Sequence, residues 1–527
     1  MRLHRLSPPM RAALESGGGG GDAVATVMDA RVSKNLLLLR ALSDAIATSI
    51  HPAAQRFANN FATLAILQRQ APVAVRQAIA YPLVGSWLAI CVRKLRATRQ
   101  FDDDCAKDLD HFGGVVLAAA ARAGLAVQVV ARLDDGAIAV PGFGRLHANQ
   151  KGSGPACVSY DGSGGSWDMI RKVILSHNDH RLFVTIDDMD PYRNPTGLAA
   201  AERMSPTEFT KWHTGLSASW ETLVHHHPTA AQELANGLKV LVPLSRNDRG
   251  GDVSATLSSA AGAISLSLPA DIQTLSAALI HELQHTKLNC LFDLMASEEH
   301  ASDRHYSPWR LDPRPLWGIL HGAYAFIGVA EFWAREANNP SADGRLASFE
   351  FARISQEVRQ GLQTLNRAEA LRSVDRPIIE GLSGRVDGWT APVPTNYMRM
   401  AYDLERGNYA RWRLLNDPAS STTFRTDFTD FRLAAARAVV TGSSSDDWPE
   451  LLLASGRYRE AVDLYAQQVE QQSTELGAWV GLSVAARALG GDGLLVTRPE
   501  LAQHKFAELL SAGTSPIDAL VDVGLPR

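Results

Sequence analysis

The rhythm of apolar and polar residues changes several times along the chain. From residue 24 to 98 apolar residues fall at helical spacing; VSKNLLLLRALSDAIATSI opens this stretch and Ala/Leu-rich segments follow. It predicts a helical scaffold. From about 125 to 190 the period shortens. LAVQVVARL, GAIAVPGFGRL and HRLFVTIDD predict strands parted by Gly, Asn and Asp turns. Helical spacing returns over 205–236, with Trp212, Trp220 and Leu223 on one face. LKVLVPL and GAISLSLP then predict two strands around the Gly-rich turn NDRGGD, together a small sheet beside the next helix. In the last hundred residues, GRYREAVDLYAQQVEQQSTELGAWVGLSVAARALGG alternates small and large residues in the manner of one tetratricopeptide-like helical hairpin. One such unit cannot build a solenoid and must pack on the rest of the chain. Near the start, a short amphipathic lead ends in five consecutive glycines, Gly17 to Gly21, which predict a flexible break.

These elements define an α+β, predominantly helical chain. The expected organisation is a flexible lead (1–23), a helical region (24–124), a central α+β metal domain (125–345), a second helical region (346–445) and tetratricopeptide-like helices (446–527). A length of 527 residues, 46% apolar and 20% charged, supplies ample core for several domains. Lys+Arg 52 against Asp+Glu 56 gives 52 − 56 = −4, so no global basic field points to nucleic acid. No apolar run reaches membrane-spanning length, and the N-terminus lacks the apolar core of a secretion signal. The four cysteines (Cys91, Cys105, Cys157, Cys290) are scattered, which favours a reducing cytoplasm over a disulfide framework.

The sharpest chemical signal is His281-Glu282-Leu283-Gln284-His285, an H-E-x-x-H motif. On a helix, residues four apart share a face, so both imidazoles can reach one metal. The helix is well predicted. Ile272, Leu275, Leu279 and Leu283 form one row, and Ala278, His281, His285, Leu288 and Phe292 a second. Asp271 is an N-cap candidate, and neither Gly nor Pro interrupts residues 271–297. An active metal needs a third protein ligand and open positions. The metzincin continuation is absent, so the ligand must lie further on. His321 is the candidate, on a helix expected to begin after Pro315, beside the small residues Gly322 and Ala323 that allow close helix approach. Glu331 is the weaker alternative. Between the two helices, Arg310 and Arg314 in WRLDPRP are guanidinium forks on a Pro-flanked loop suited to a carboxylate. Either could instead pair structurally with Asp312 or Asp293. Tyr306 could add a hydroxyl to the same pocket. Other histidines read as bland: His177 and His180 as turn residues, and His225, His226 and His227 as a solvated helix end.

The blocks LIHELQHTKLNCLFDL and YSPWRLDPRPLWGILHGAYAFIGVAEFW, with MDPYRNP, LVPL and SLPADIQTL upstream, closely resemble the H-E-x-x-H peptide-modification proteins of bacterial pathways for ribosomally made, modified peptides. The resemblance is specific over about 187–336 and looser over most of the chain. It implies a non-haem Fe(II), 2-oxoglutarate (α-ketoglutarate)-dependent dioxygenase that uses O2 to hydroxylate a side chain of a precursor peptide, an Asp β-carbon among the implied targets. It implies His281, His285 and His321 as iron ligands and Arg310 or Arg314 as the anchor of the co-substrate carboxylate. The partners implied are the precursor peptide and other maturation enzymes, with neither nucleic acid nor membrane. Three His would depart from the usual two-His, one-carboxylate iron site. Glu282 stays open: a general base in a peptidase, or a group orienting a ligand histidine in an oxygenase. The alternatives are a zinc metallopeptidase, since His suits Zn as well as Fe, and a peptide-binding module with a structural metal. The C-terminal helices are candidates for recognising the peptide leader or a partner enzyme.

Overall fold

The computed structural model describes residues 4–97, 102–194, 197–247, 251–295, 303–340, 342–417, 436, 439 and 448–526. It is 60% helix and 13% strand, which makes the chain a predominantly helical α+β protein. Two compact units divide it, Met1–Ser297 and Glu298–Arg527. The expected metal domain, 125–345, spans this division, so the H-E-x-x-H segment lies in the first unit and His321 in the second.

Among the described residues the first unit opens with seven helices: α1 (Pro8–Glu15), α2 (Gly20–Ile46), α3 (Pro52–Gln70), α4 (Pro72–Ile79), α5 (Pro82–Ala97), α6 (Asp103–Leu109) and α7 (Phe112–Ala123). Four of them begin with Pro directly after the cap or turn, where the missing N–H costs no bond. Their apolar faces close over Trp87, Phe57 and Phe112 in one continuous core. Seven strands follow: β1 (Val127–Leu133), β2 (Ala137–Val140), β3 (Gly144–His147), β4 (Gly154–Tyr160), β5 (Ser166–Met169), β6 (Arg171–His177) and β7 (His180–Ile186). Gly142 and Gly144 both take positive φ in the tight β2–β3 turn.

Next come α8 (Pro206–His226), α9 (Pro228–Gly237), β8 (Val240–Pro243), β9 (Ser254–Thr256), β10 (Ala263–Leu266) and α10 (Ile272–Phe292). One mixed sheet runs in the order β6-β7-β8-β10-β9. The β7–β8 and β8–β10 pairs are parallel, while β6–β7 and β10–β9 are antiparallel. The two strands expected around NDRGGD are thus direct parallel neighbours, β8 and β10, with β9 outside them. Residues 248–250 of that turn lie outside the described residues. The central strands are buried throughout (Val240–Pro243, Ala263–Leu266), as parallel strands covered on both faces should be.

The glycine tract is not a free hinge. Gly17 closes α1, and Gly20 and Gly21 form the first turn of α2. Gly17, Gly19 and Gly20 all take positive φ, with Gly19 at +132°. An ordinary side chain would be strained there. The tract is a tight corner that only glycine can turn.

The second unit contains a two-stranded ribbon, β11 (His305–Ser307) and β12 (Arg310–Arg314), then α11 (Leu316–Glu336), α12 (Gly344–Arg367), α13 (Arg376–Asp387) and α14 (Thr395–Leu415). The WRLDPRP segment, expected as loop, is therefore largely strand. Pro313 is tolerated because a two-stranded ribbon is all edge. Of the helical region expected over 346–445, residues 418–435, 437–438 and 440–445 lie outside the described residues. The C-terminal helices Tyr458–Gln471 and Leu476–Ala488 form the predicted hairpin. Its small/large logic is visible: a Cβ on Gly481 would fall 2.2 Å from the Tyr465 ring, so the ring needs that glycine. Among the described residues no single helix is long and apolar enough to cross a membrane. Pro72–Ile79 and Pro82–Ala97 reach that apolar length only as a pair bent by 65°.

Candidate functional site

The H-E-x-x-H residues lie in the middle of α10. Asp271 caps the helix, its carboxylate accepting from the Thr274 N–H at 2.6 Å. Leu275, Leu279 and Leu283 of the first predicted row and Leu288 of the second are buried, as is Leu291, while Ile272 at the head of the first row is exposed. Ser276 meets Ser219 of α8 through a 2.8 Å hydroxyl pair.

The Nε2 atoms of His281 and His285 are 3.2 Å apart, with the rings edge to face. Two nitrogens each about 2.1 Å from one metal, at angles of roughly 90–109°, stand about 3.0–3.4 Å apart. The pair therefore has the separation a shared metal requires. Burial pushes His281 down to about 4, helped by His285 and opposed by Glu282. Burial lowers His285 as well, against the pull of Glu282. Both rings are thus neutral near pH 7, the state in which imidazole can ligate.

The Glu282 carboxylate reaches the sheet edge. It is 2% exposed. Its Oε1 accepts from the Ser254 hydroxyl at 2.6 Å, and its carbonyl accepts from the hydroxyls of Thr256 (3.1 Å) and Thr286 (3.2 Å). Its Oε2 is buried without a hydrogen-bond partner. Ser254 and Thr256 belong to β9, the outermost strand of the mixed sheet. The motif carboxylate is therefore stitched to a sheet edge. Ser254 and Thr256 lie in a short polar run (SATLSS) with no periodicity linking them to the helix, which is why the sequence does not reveal them.

A second brace lies deeper. Lys287 is 1% exposed, yet its ammonium meets Glu233 of α9 at 2.8 Å and the Gly17 carbonyl at 3.0 Å. Gln284 donates to that same carbonyl at 2.9 Å, and Glu233 accepts from the Gly20 N–H at 2.9 Å. The glycine corner, α9 and the motif helix thus share one buried polar network. A faint signal exists in the sequence: Gln284, Lys287 and Leu291 form a row that continues apolar. Asp293, at the C-cap of α10, pairs with Arg31 and Lys34 of α2. It is not the partner of Arg310 or Arg314.

In the second unit, His321 sits half-buried on α11, edge to face with Trp317 at 5.7 Å. The small residue beside it has a use of its own. A Cβ on Gly322 would fall 2.1 Å from the Trp309 indole, and one on Gly361 would fall 2.8 Å from the same ring. Gly322 makes room for a tryptophan. The alternative ligand Glu331 is engaged elsewhere: both its oxygens accept from Arg385 at 2.5 Å. That bidentate pair explains it as a structural residue.

Arg310 and Arg314 both pair with Asp312, at 3.1 and 2.9 Å. Burial raises the Asp312 carboxyl, but the two arginines outweigh it and hold the group below its ordinary value. The ribbon register, His305 opposite Arg314 and Ser307 opposite Arg310, sets the two arginines and Asp312 on one face. Tyr306 lies on the other. It packs against Tyr409 and Trp412 of α14, with ring centroids 5.1 and 5.5 Å away, and its hydroxyl has no hydrogen-bond partner. Burial, with Glu405 and Glu357 nearby, holds the phenol well above its ordinary range. Tyr306 does not share a pocket with the arginines.

Of the other histidines, His177 and His180 flank the β6–β7 turn and His225 and His226 are exposed in the last turn of α8, as expected; His227 departs from that expectation. His227 is 1% exposed and closes α8. His225 stands against His177, Nε2 to Nε2 at 3.0 Å. No family model matches the chain, and no curated protein matches it either.

Proposed function

We propose that this chain is an Fe(II)- and 2-oxoglutarate-dependent oxygenase that hydroxylates a side chain of a ribosomally made precursor peptide. The observation that carries the metal is the 3.2 Å separation of the two neutral Nε2 atoms on one helix face. His321 is proposed as the third ligand from residue type and chain order. Bound iron with 2-oxoglutarate supplies oxidative decarboxylation coupled to C–H hydroxylation. The protein's own part is to hold, orient and select.

Two features support the oxygenase reading. Glu282 is tied by Ser254 and buried, which suits a residue that fixes the motif helix better than one that shuttles protons. Arg310 and Arg314 lie side by side on a ribbon with one carboxylate, Asp312, between them, so two guanidinium groups share a single acid. That excess of positive charge suits the distal carboxylate of a keto acid. A peptide substrate is supported by β9. An outermost strand of three residues beside the motif helix can receive an extended chain through main-chain hydrogen bonds.

A zinc peptidase is the second reading, favoured by one atom. The partnerless Oε2 of Glu282 could hold a water for attack. Metal-free protein under anaerobic conditions separates the two. Fe(II) followed by 2-oxoglutarate should give a visible charge-transfer band that needs both additions and is lost in Arg310→Ala or Arg314→Ala. Absence of the band, with tight Zn(II) binding and peptide cleavage that Glu282→Gln abolishes, would establish the peptidase instead. Metal retained in full by His321→Ala would remove His321 from the ligand set.

A further inference from the structure

A second histidine pair lies in the first unit, on other elements. His177 ends β6, and the two-residue turn Asn178-Asp179 closes the β6–β7 hairpin, with His177 paired opposite His180. Asn178 takes φ +49°, a conformation asparagine tolerates better than most residues, so the turn holds His177 in a defined place. Across from it runs α8, anchored at its start by a reciprocal Ser205/Glu208 capping box. Glu221 and His225 are four residues apart on α8 and so share a face.

The geometry is that of a ligand set. The Nε2 atoms of His177 and His225 are 3.0 Å apart, with rings at 75°. One ligand atom from each of His177, Glu221 and His225 lies within 4.8 Å of the others. Two nitrogens about 2.1 Å from one metal and roughly 90° apart would be separated by this distance. His225 and Glu221 are exposed and His177 half-buried, so water can complete the coordination. The site is also in the last two turns of α8, where the carbonyl ends of the helix favour a cation.

We propose that His177, Glu221 and His225 bind a divalent transition metal of the zinc class, separate from the H-E-x-x-H pair. Two imidazoles and one carboxylate select against calcium and magnesium, which take oxygen ligands. Bound there, the ion joins the β6–β7 hairpin to α8. Through the Ser219–Ser276 hydroxyl pair, α8 is bonded to the motif helix α10. The ion would thus brace the scaffold that holds His281 and His285, while doing no chemistry itself.

The test is a titration of metal-free, full-length protein with Zn(II) against a chromophoric chelator. The native protein should bind one equivalent more than His177→Ala or His225→Ala. Glu221→Gln should keep that equivalent but bind it on the order of tenfold more weakly. The extra equivalent should persist in the His281→Ala/His285→Ala double variant. Because the substituted side chains are exposed or half-exposed, far-UV circular dichroism should stay unchanged in His177→Ala and His225→Ala. Equal stoichiometry and affinity in the native protein and these two variants overturns the proposal. So does unchanged affinity in Glu221→Gln.

Discussion

At the scale of single residues, the site is organised by what is buried without freedom to move. Glu282 has one oxygen held by Ser254 and one without a partner. Ser254→Ala would leave the whole carboxylate buried and unsatisfied. The expected cost is about 1–3 kcal/mol in urea unfolding, with helix content kept. His111 is a second sensitive residue. It packs edge-on against Trp87 and at a tilt against Tyr192, and burial pushes it down to about 3 from an ordinary 6.5. The unfolded chain takes up a proton near pH 6.5 and the folded chain only near 3. Stability from this group is therefore complete above 6.5 and lost progressively as pH falls toward 3. His281 acts in the same sense from 6.5 down to about 4 in metal-free protein. His111→Phe should flatten the fall in unfolding free energy between pH 7 and pH 4, and an unchanged slope would assign the acid sensitivity elsewhere.

At the scale of elements, much was legible. The α10 helix, its Asp271 cap and most of its apolar rows follow from the sequence, with Ile272 the exposed exception, and the C-terminal hairpin follows from its alternation of small and large residues. What periodicity cannot show is which distant element a polar residue meets. The partners of Glu282 lie 28 and 26 residues upstream on a three-residue strand. His177 and His225 are 48 residues apart and belong to different element types. Glycine was misread for the same reason: Gly17 to Gly21 look like a linker until their neighbours are known, and nothing in the spacing of Gly322 shows that it borders Trp309. Gly322→Ala should cost about 1–3 kcal/mol by forcing the Trp309 ring aside, visible as a lowered thermal midpoint and altered tryptophan fluorescence. Lys287→Met should cost more, about 3–5 kcal/mol, because Glu233 is left buried and charged without its cation. A smaller loss, within 1 kcal/mol, would mean that the methionine repacks the site.

At the scale of the whole molecule, the division into two units sets how stability should be read. Each has its own core: one centred on Trp87 and Phe112, another on Trp479 and Phe506. Calorimetry should therefore show a calorimetric enthalpy larger than the van't Hoff value, since two cores need not melt together. Zn(II) should raise the component belonging to residues 1–297, and His225→Ala should cancel whatever part of that rise the α8 site supplies. The boundary itself was not legible, because no Pro/Gly-rich or low-complexity tract marks it. The site candidates read from the sequence fall on both sides, the motif helix before it and His321 with the arginine ribbon after it.

The glycine corner also imposes an order on synthesis. The Gly17 carbonyl leaves the ribosome early, but its ammonium partner, Lys287, follows 270 residues later. At about 5–20 residues per second that is a wait of roughly 15–50 s. During that interval the Gly17 carbonyl exists without the cation that satisfies it, and Glu233 joins it for the last 54 residues. The motif helix is the last element of its unit to be made, so the unit's earliest and latest residues must meet before His281 and His285 are held in place. A nascent chain paused before α10 would therefore leave both the Gly17 carbonyl and Glu233 without the Lys287 ammonium.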